Sequence, residues 1–154
     1  MGSAVGPIDA VITWVDGDDP AHKSKRRKYA FADELDNDDV GGEIRYRSVG
    51  EIRYCVASIL RFASFVRKIF IVTDGQDPKL DGFIARNFPD NKTEIEIVDH
   101  KVIFAGYESC LPVFNSLAIE TMLWRIPGLS DRFIYMNDDV MFAAKVEPED
   151  FFVG

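Results

Sequence analysis

The sequence predicts an α/β fold, a mainly parallel sheet flanked by helices on both faces, and three observations predict it. Four short apolar runs rich in β-branched residues, at 8–15, 68–73, 94–98 and 132–136, have the length and composition of buried strands. Segments of helical character separate them. Such alternation places consecutive strands parallel, with the connecting helices covering the sheet. The runs also end in acidic residues, at Asp16, Asp74, Asp99 and Asp138. In open α/β sheets the ligand crevice lies outside the carboxyl ends of the strands, so a site is expected at this edge.

Taken in order, Met1-Gly2-Ser3 resembles the remnant of an expression tag. Residues 1–7 are read as a flexible N-terminus ahead of one domain over 8–154. The run IDAVITWV at 8–15, with Trp14 assigned to the core, breaks at the acidic turn Asp16-Gly17-Asp18-Asp19-Pro20. Residues 21–35 have helical propensity and a basic start, and 36–42 (DNDDVGG) is a loop by composition. From 48 to 65, Val49, Ile52, Val56, Ile59, Leu60 and Ala63 recur at three- and four-residue steps. That spacing predicts an amphipathic helix, with Ser48 as N-cap and Glu51 as its capping-box partner. KIFIVT at 68–73 is the second strand, stopped by Asp74-Gly75-Gln76-Asp77-Pro78, and a short helix follows over 79–87 until Pro89. EIEIV at 94–98 alternates as a third strand ahead of Asp99-His100. After a loop to Pro112, residues 113–124 read as a helix. RFIYM at 132–136 is a fourth strand ending at Asn137-Asp138-Asp139, and 140–144 read as a short fifth.

A chain of 154 residues with 12 phenylalanines can build one well-packed core. Its net charge of −8, from 26 acidic against 18 basic residues, excludes a binder of nucleic-acid backbone, which needs a basic surface. It leaves room for a phosphate-bearing small substrate, because a bound divalent cation inverts the local charge. The basic run KSKRRK at 23–28 reads as an exposed helix face able to touch anionic lipid or polymer. Cys55, in the helical pattern, and Cys110, in a loop, are read as reduced, unpaired thiols. No apolar run approaches the roughly 20 residues that span a bilayer, and a cytoplasmic location, peripheral at the inner membrane, is expected.

Asn137-Asp138-Asp139 directly follows an apolar strand. Mg²⁺ takes one or two carboxylates and completes its shell with phosphate oxygens and water. The triplet therefore reads either as a metal–diphosphate clamp, provided the chain turns there, or as a plain acidic turn. Asp16-Gly17 and Asp74-Gly75-Gln76 carry the same two readings. Glycine allows close backbone approach to a ligand, yet Asp-Gly and Asp-Pro pairs are also ordinary turn chemistry. Arg45, Arg47 and Arg53 surround the start of the 48–65 helix, where guanidinium forks and a helix N-terminus both suit phosphate. A solvated face paired with the many acids is the competing reading. His22 and His100 lack a metal-ligand spacing. No phosphate-loop, dinucleotide or serine-hydrolase motif is present.

IDAVITWVDGDDP at 8–20, followed in order by RYRSVGEIRYCVASI, RKIFIVTDGQDP, IVDHKVIF, LPVFNSLAIE and RIPGLSDRFIYMNDDVMF, resembles the first and second signature blocks of the Stealth family. The likeness covers nearly the whole span from 8 to 152. It implies a Rossmann-like or GT-A-like nucleotide-sugar-binding core. It also implies a phosphotransferase that moves hexose-1-phosphate, N-acetylhexosamine-1-phosphate foremost, from a UDP-sugar to a glycan or polysaccharide hydroxyl. UMP leaves, as in capsular polysaccharide synthesis.

On this resemblance Asp138 and Asp139 hold Mg²⁺ (or Mn²⁺), and Asp139 counts among the catalytic residues with Asp16, Arg47 and Arg53. Asp16 takes an acid–base or orienting role, and the two arginines neutralise charge on phosphate oxygens. Gly17, Asp74, Gln76, Asn115, Ser116 and Asn137 line the donor pocket, and Glu120 reaches it from one turn beyond Ser116. Four residues depart from the family pattern. Ser48-Val49 stand where bacterial members often carry Asp-Asn, Ala57 where Arg is usual and Leu117 where His is frequent. Further family blocks, which supply a histidine and an arginine, normally follow this region. Two other readings predict different products: an ordinary metal-dependent glycosyltransferase releases UDP, and a sugar-nucleotide- or glycan-binding module turns nothing over.

Overall fold

The apolar runs form β1 (Ile8–Thr13), β2 (Val66–Thr73), β3 (Glu94–Asp99) and β4 (Arg132–Asn137) in a computed structural model that describes residues 6–29 and 49–152. They make one all-parallel sheet in the order β3-β2-β1-β4, as the alternation of elements predicts. β1 lies between two neighbours and both its faces are covered, which is why it reads as a continuous apolar run rather than an alternating one.

Helices α1 (Pro20–Tyr29), α2 (Glu51–Phe62), α3 (Asp81–Asn87), α4 (His100–Ile103) and α5 (Ser116–Glu120) follow the strands in chain order. Side chains alternate across the sheet and build two cores. Ala10, Ile12 and Trp14 of the β1 segment join Ile69, Ile71, Ile134 and Met136 against Ile52, Cys55, Val56 and Ile59 of α2. Val11, Phe70, Val72 and Val98 pack on the opposite face with Ile103, Ile119, Leu123 and Ile126. Burying each such Ile contributes about 1.5–3 kcal/mol.

The chain divides into two compact units, Met1–Trp14 with Glu51–Gly154, and Val15–Gly50. The sheet belongs to the first. In the second, Asp19 starts α1: its side chain accepts from the Ala21 N–H at 2.8 Å and its carbonyl from the Lys23 N–H at 2.9 Å, with Pro20 in first position.

The predicted capping box rests on Ser48, which lies outside the described residues; helix α2 is described from Glu51. Two other sequence expectations are corrected. The predicted helix over 113–124 is broken. Asn115 caps its start, and the Thr121 hydroxyl then donates to the Ala118 carbonyl at 2.8 Å, so the Met122 N–H bonds Ile119, three residues back. The chain tightens into a 3₁₀ turn at Leu123–Arg125. Residues 140–144 form no strand. Their backbone is drawn to α2 instead, the Phe142 N–H donating to Ser58 Oγ at 3.0 Å and, just beyond, the Val146 N–H to the Phe62 carbonyl at 3.0 Å.

Candidate functional site

The chain steps outward from β1 to β2 to β3, then returns past β1 to form β4. The carboxyl ends of β1 and β4 therefore flank the point where strand order reverses, the usual ligand crevice of such sheets. Thr13 pairs with Asn137 across it, and both open toward the rim.

On one face of the sheet the Tyr135 hydroxyl gathers three side chains. It lies 3.0 Å from Thr13 Oγ1, 3.1 Å from Glu120 Oε1 and 2.9 Å from Asn137 Oδ1. Burial pushes the phenol above its usual range, and Glu120 and Asp138 add to that push while the Thr13 bond opposes it. The phenol is thus a neutral group at neutral pH.

On the other face, the buried Cys55 thiol donates to the Asn137 carbonyl at 3.7 Å. Burial, then Asp138 and Asp139, push this thiol up to about 12, so it is a wall of the site and not a nucleophile.

Between these supports the chain turns, the Val140 N–H reaching back to the Asn137 carbonyl at 3.1 Å. Burial pushes Asp138 up to about 6; a backbone bond to its own amide opposes this, and the charges of Asp139 and Glu51 reinforce it. Glu51, at the start of α2, adds negative charge here. Among the described residues no three His, Cys, Asp or Glu side chains form a metal cage. A half-buried carboxyl crowded by two acids fits a cation that takes two protein carboxylates and draws its other ligands from phosphate and water. It does not fit an all-protein site.

The remaining sequence candidates are distributed as follows. Asp74 and Gln76 flank Gly75 beyond β2, where φ is +67° and an added Cβ would lie 3.3 Å from Asp99 Oδ2. Asp99 in turn caps α4 through the Lys101 N–H at 2.8 Å. Asn115 caps α5 by accepting from the Leu117 N–H at 2.9 Å, Ser116 is the first residue of that helix and Glu120 the last. Arg53 is exposed in the first turn of α2. Asp16 and Gly17 belong to the second unit, where Asp16 Oδ1 accepts from the Asp18 N–H at 3.0 Å. Arg45, Arg47 and Ser48 lie outside the described residues.

The structure thus brings Asn137 and Glu120 to the Tyr135 hydroxyl with Asp138 in electrostatic reach, and sets Asp139 beside Asp138. Sequence reasoning missed Tyr135 and Thr13, because each sat in an apolar strand run. The available signal was register: counting back by two from Asn137 puts Tyr135 on the same face.

Comparison with known sequences gives a consistent result. Residues 45–154 match Stealth protein CR2, conserved region 2, and residues 6–33 match Stealth protein CR1, conserved region 1. The chain is 40% identical over 145 residues to the capsular polysaccharide phosphotransferase WcwK of Streptococcus pneumoniae, covering 94% of this chain and 41% of that protein. It is 39% identical over 145 residues to the receptor polysaccharide phosphotransferase WefC of Streptococcus oralis, with coverage of 94% and 41%. An exopolysaccharide phosphotransferase of Streptomyces coelicolor is 40% identical over 148 residues, covering 96% of this chain and 15% of the relative. The chain therefore spans well under half the length of these relatives. No helix among the described residues is long and apolar enough to cross a membrane.

Proposed function

We propose, for a chain that belongs to the Stealth family, that it forms the donor-binding core of a sugar-1-phosphate transferase acting in capsular or exopolysaccharide synthesis. The observation that carries the reading is the Asn137-Asp138-Asp139 turn at the strand-order reversal, with Asp138 pushed up to about 6 by burial and neighbouring acids. The relatives' names point to polysaccharide phosphotransfer.

In this reading the donor is a UDP-sugar, N-acetylhexosamine in first place, and the acceptor is a glycan hydroxyl. The hydroxyl oxygen bonds the β-phosphorus and the bridging bond to the α-phosphate breaks. UMP leaves with that electron pair, and the hydroxyl proton passes to a base. Asp138 and Asp139 would hold Mg²⁺ or Mn²⁺, and the bound ion would neutralise charge on the phosphate oxygens. Glu120 and Asn137 line the same rim. Asn115, Ser116, Asp74, Gln76 and Gly17 contribute to donor binding by motif position, as do Arg47 and Arg53 to phosphate charge and Asp16 to acid–base or orienting work. A peripheral place at a membrane surface, where such polymers grow, suits the basic face of α1.

Calorimetric titration of UDP-N-acetylglucosamine into this chain, with and without Mg²⁺, tests the reading. Metal-dependent binding supports it. Silence from a folded sample toward several UDP-sugars sinks it. In a turnover assay UMP is the expected product, and UDP would indicate glycosyl transfer instead.

A further inference from the structure

We propose that Tyr135 is the positioning residue of this site: it fixes the separation of Glu120 and Asn137 and the direction in which the Asn137 amide faces. One arm of the test below rests on the donor reading. The positioning itself rests on geometry.

Glu120 and Asn137 come from different elements, the last residue of the short helix α5 and the last residue of β4. A five-residue helix ending in a 3₁₀ turn holds its terminal side chain loosely by itself. Tyr135 is anchored in a paired strand, and its ring packs with the second core cluster, so its hydroxyl is a fixed point. Glu120 Oε1 and Asn137 Oδ1 lie 3.1 and 2.9 Å from that point.

The phenol has a single proton for these two neighbours. An ionised carboxylate is the stronger acceptor, so the proton goes to Glu120. The phenol oxygen and Asn137 Oδ1 would then face each other with no hydrogen between them. The oxygen and nitrogen of an asparagine amide are assigned from their bonding network. The network resolves when the amide turns over, so that Nδ2–H donates to the phenol oxygen. Thr13 Oγ1, 3.0 Å away on the neighbouring strand, completes the shell. Asn137 Oδ1 is thereby released from Tyr135 on the residue directly preceding Asp138, where it can accept a bond from a ligand.

The test uses Tyr135→Phe, which keeps the packed ring and removes only the hydroxyl. The first readout needs no ligand: solvent exchange of the Asn137 side-chain amide protons by NMR, assigned by their loss in Asn137→Asp. Exchange about tenfold faster than in the native chain is expected in Tyr135→Phe, with a melting temperature within a few degrees of native. Unchanged exchange overturns the proposal. If Tyr135→Phe fails to fold, Glu120→Ala serves instead. Removing the competing acceptor returns the phenol proton to Asn137 Oδ1, so the amide protons, no longer donated, should exchange faster; no change there is equally fatal.

The second readout is titration with UDP-N-acetylglucosamine and Mg²⁺. Loss of one positioning hydrogen bond predicts binding about tenfold weaker in Tyr135→Phe. If the native chain binds and Tyr135→Phe binds equally well, the positioning fails while the donor reading stands. If the native chain binds nothing but the Asn137 amide still loosens in Tyr135→Phe, the donor reading fails and the positioning stands.

Discussion

Arg67 grips the carboxylate of Asp9 with two hydrogen bonds, of 2.9 and 2.7 Å, although Asp9 is wholly buried and Arg67 lies half in solvent. The Ser130 N–H adds a third at 2.8 Å, and Arg67 also donates to the Gly128 carbonyl at 2.9 Å. The starts of β1 and β2 and the loop before β4 are thus tied at the edge opposite the site. Burial alone pushes the Asp9 carboxyl up, but the bonds from Arg67 and Ser130 outweigh it and hold the group below the usual carboxylate range. A depressed carboxyl contributes stability that is present above its unfolded value and lost as pH falls through its folded one. Arg67→Ala should destabilise the chain at neutral pH, because it leaves the buried Asp9 carboxylate without its main partner. Urea unfolding should find that loss shrinking toward pH 3, and a constant deficit would argue against the pairing as its cause.

Asp138 has the opposite sign. Its carboxyl is pushed up to about 6, so between pH 4 and 6 the folded chain holds a proton that the unfolded chain has released, and stability falls as pH rises. Asp138→Asn should therefore stabilise the metal-free chain by about 1–2 kcal/mol at pH 7, after allowance for partial solvation, and leave it unchanged near pH 4. A variant destabilised at pH 7 would mean that the carboxylate has a favourable partner in the folded chain.

If the chain binds a sugar nucleotide with Mg²⁺ as proposed, Asp139→Asn should abolish the metal dependence of that binding while unfolding stays cooperative. Asp139 is exposed, and no core contact depends on it. Calorimetry with and without the metal reads the first property and thermal unfolding the second. Retained metal dependence would remove Asp139 from the clamp.

Trp14 packs on the α2 face of the sheet, and its indole N–H is buried without a hydrogen-bond partner. Trp14→Ala should cost about 3–5 kcal/mol as a large-to-small core change. Trp14→Phe should cost less, because the ring it removes carries an unsatisfied donor. Thermal unfolding of the pair measures both, and equal losses would show that a smaller aromatic ring recovers none of the packing.

Gly75→Ala should destabilise by about 1–2 kcal/mol, since φ is +67° there and the new methyl would press on the Asp99 carboxylate that caps α4. A matching loss in Asp99→Ala, with little further loss in the double variant, would locate the effect at that contact.

The strands were legible because burial on both faces leaves a strong compositional mark. IDAVIT and KIFIVT could hardly be anything else, and the polar residues Asp74, Asp99 and Asn137 fall at the carboxyl ends of β2, β3 and β4. Helix interruptions were not legible. Nothing in the spacing of Leu117, Ile119 and Leu123 shows that the Thr121 hydroxyl will claim the Ala118 carbonyl. Residues 140–144 looked like a strand because Val140, Met141 and Phe142 are apolar, but a buried serine on α2 competes for their backbone, and Ser58 carries no periodic signal. For the site, Asn137-Asp138-Asp139 stood out by charge. Tyr135 did not, because an aromatic in a strand looks like core until its hydroxyl is traced to its neighbours.

The position of β1 also sets a timetable. Its pairing with β2 joins residues 58 apart at Asp9 and Arg67, whereas Thr13 and Tyr135, across β1 and β4, are 122 apart. At a synthesis rate of about 5–20 residues per second, the second flank of β1 stays bare on the order of ten seconds after the strand has emerged. Long-range parallel pairing is also intrinsically slow to close. The most apolar strand of the protein thus waits longest for a neighbour, and a chaperone attending the nascent chain would find its client at the β4-facing edge of IDAVIT.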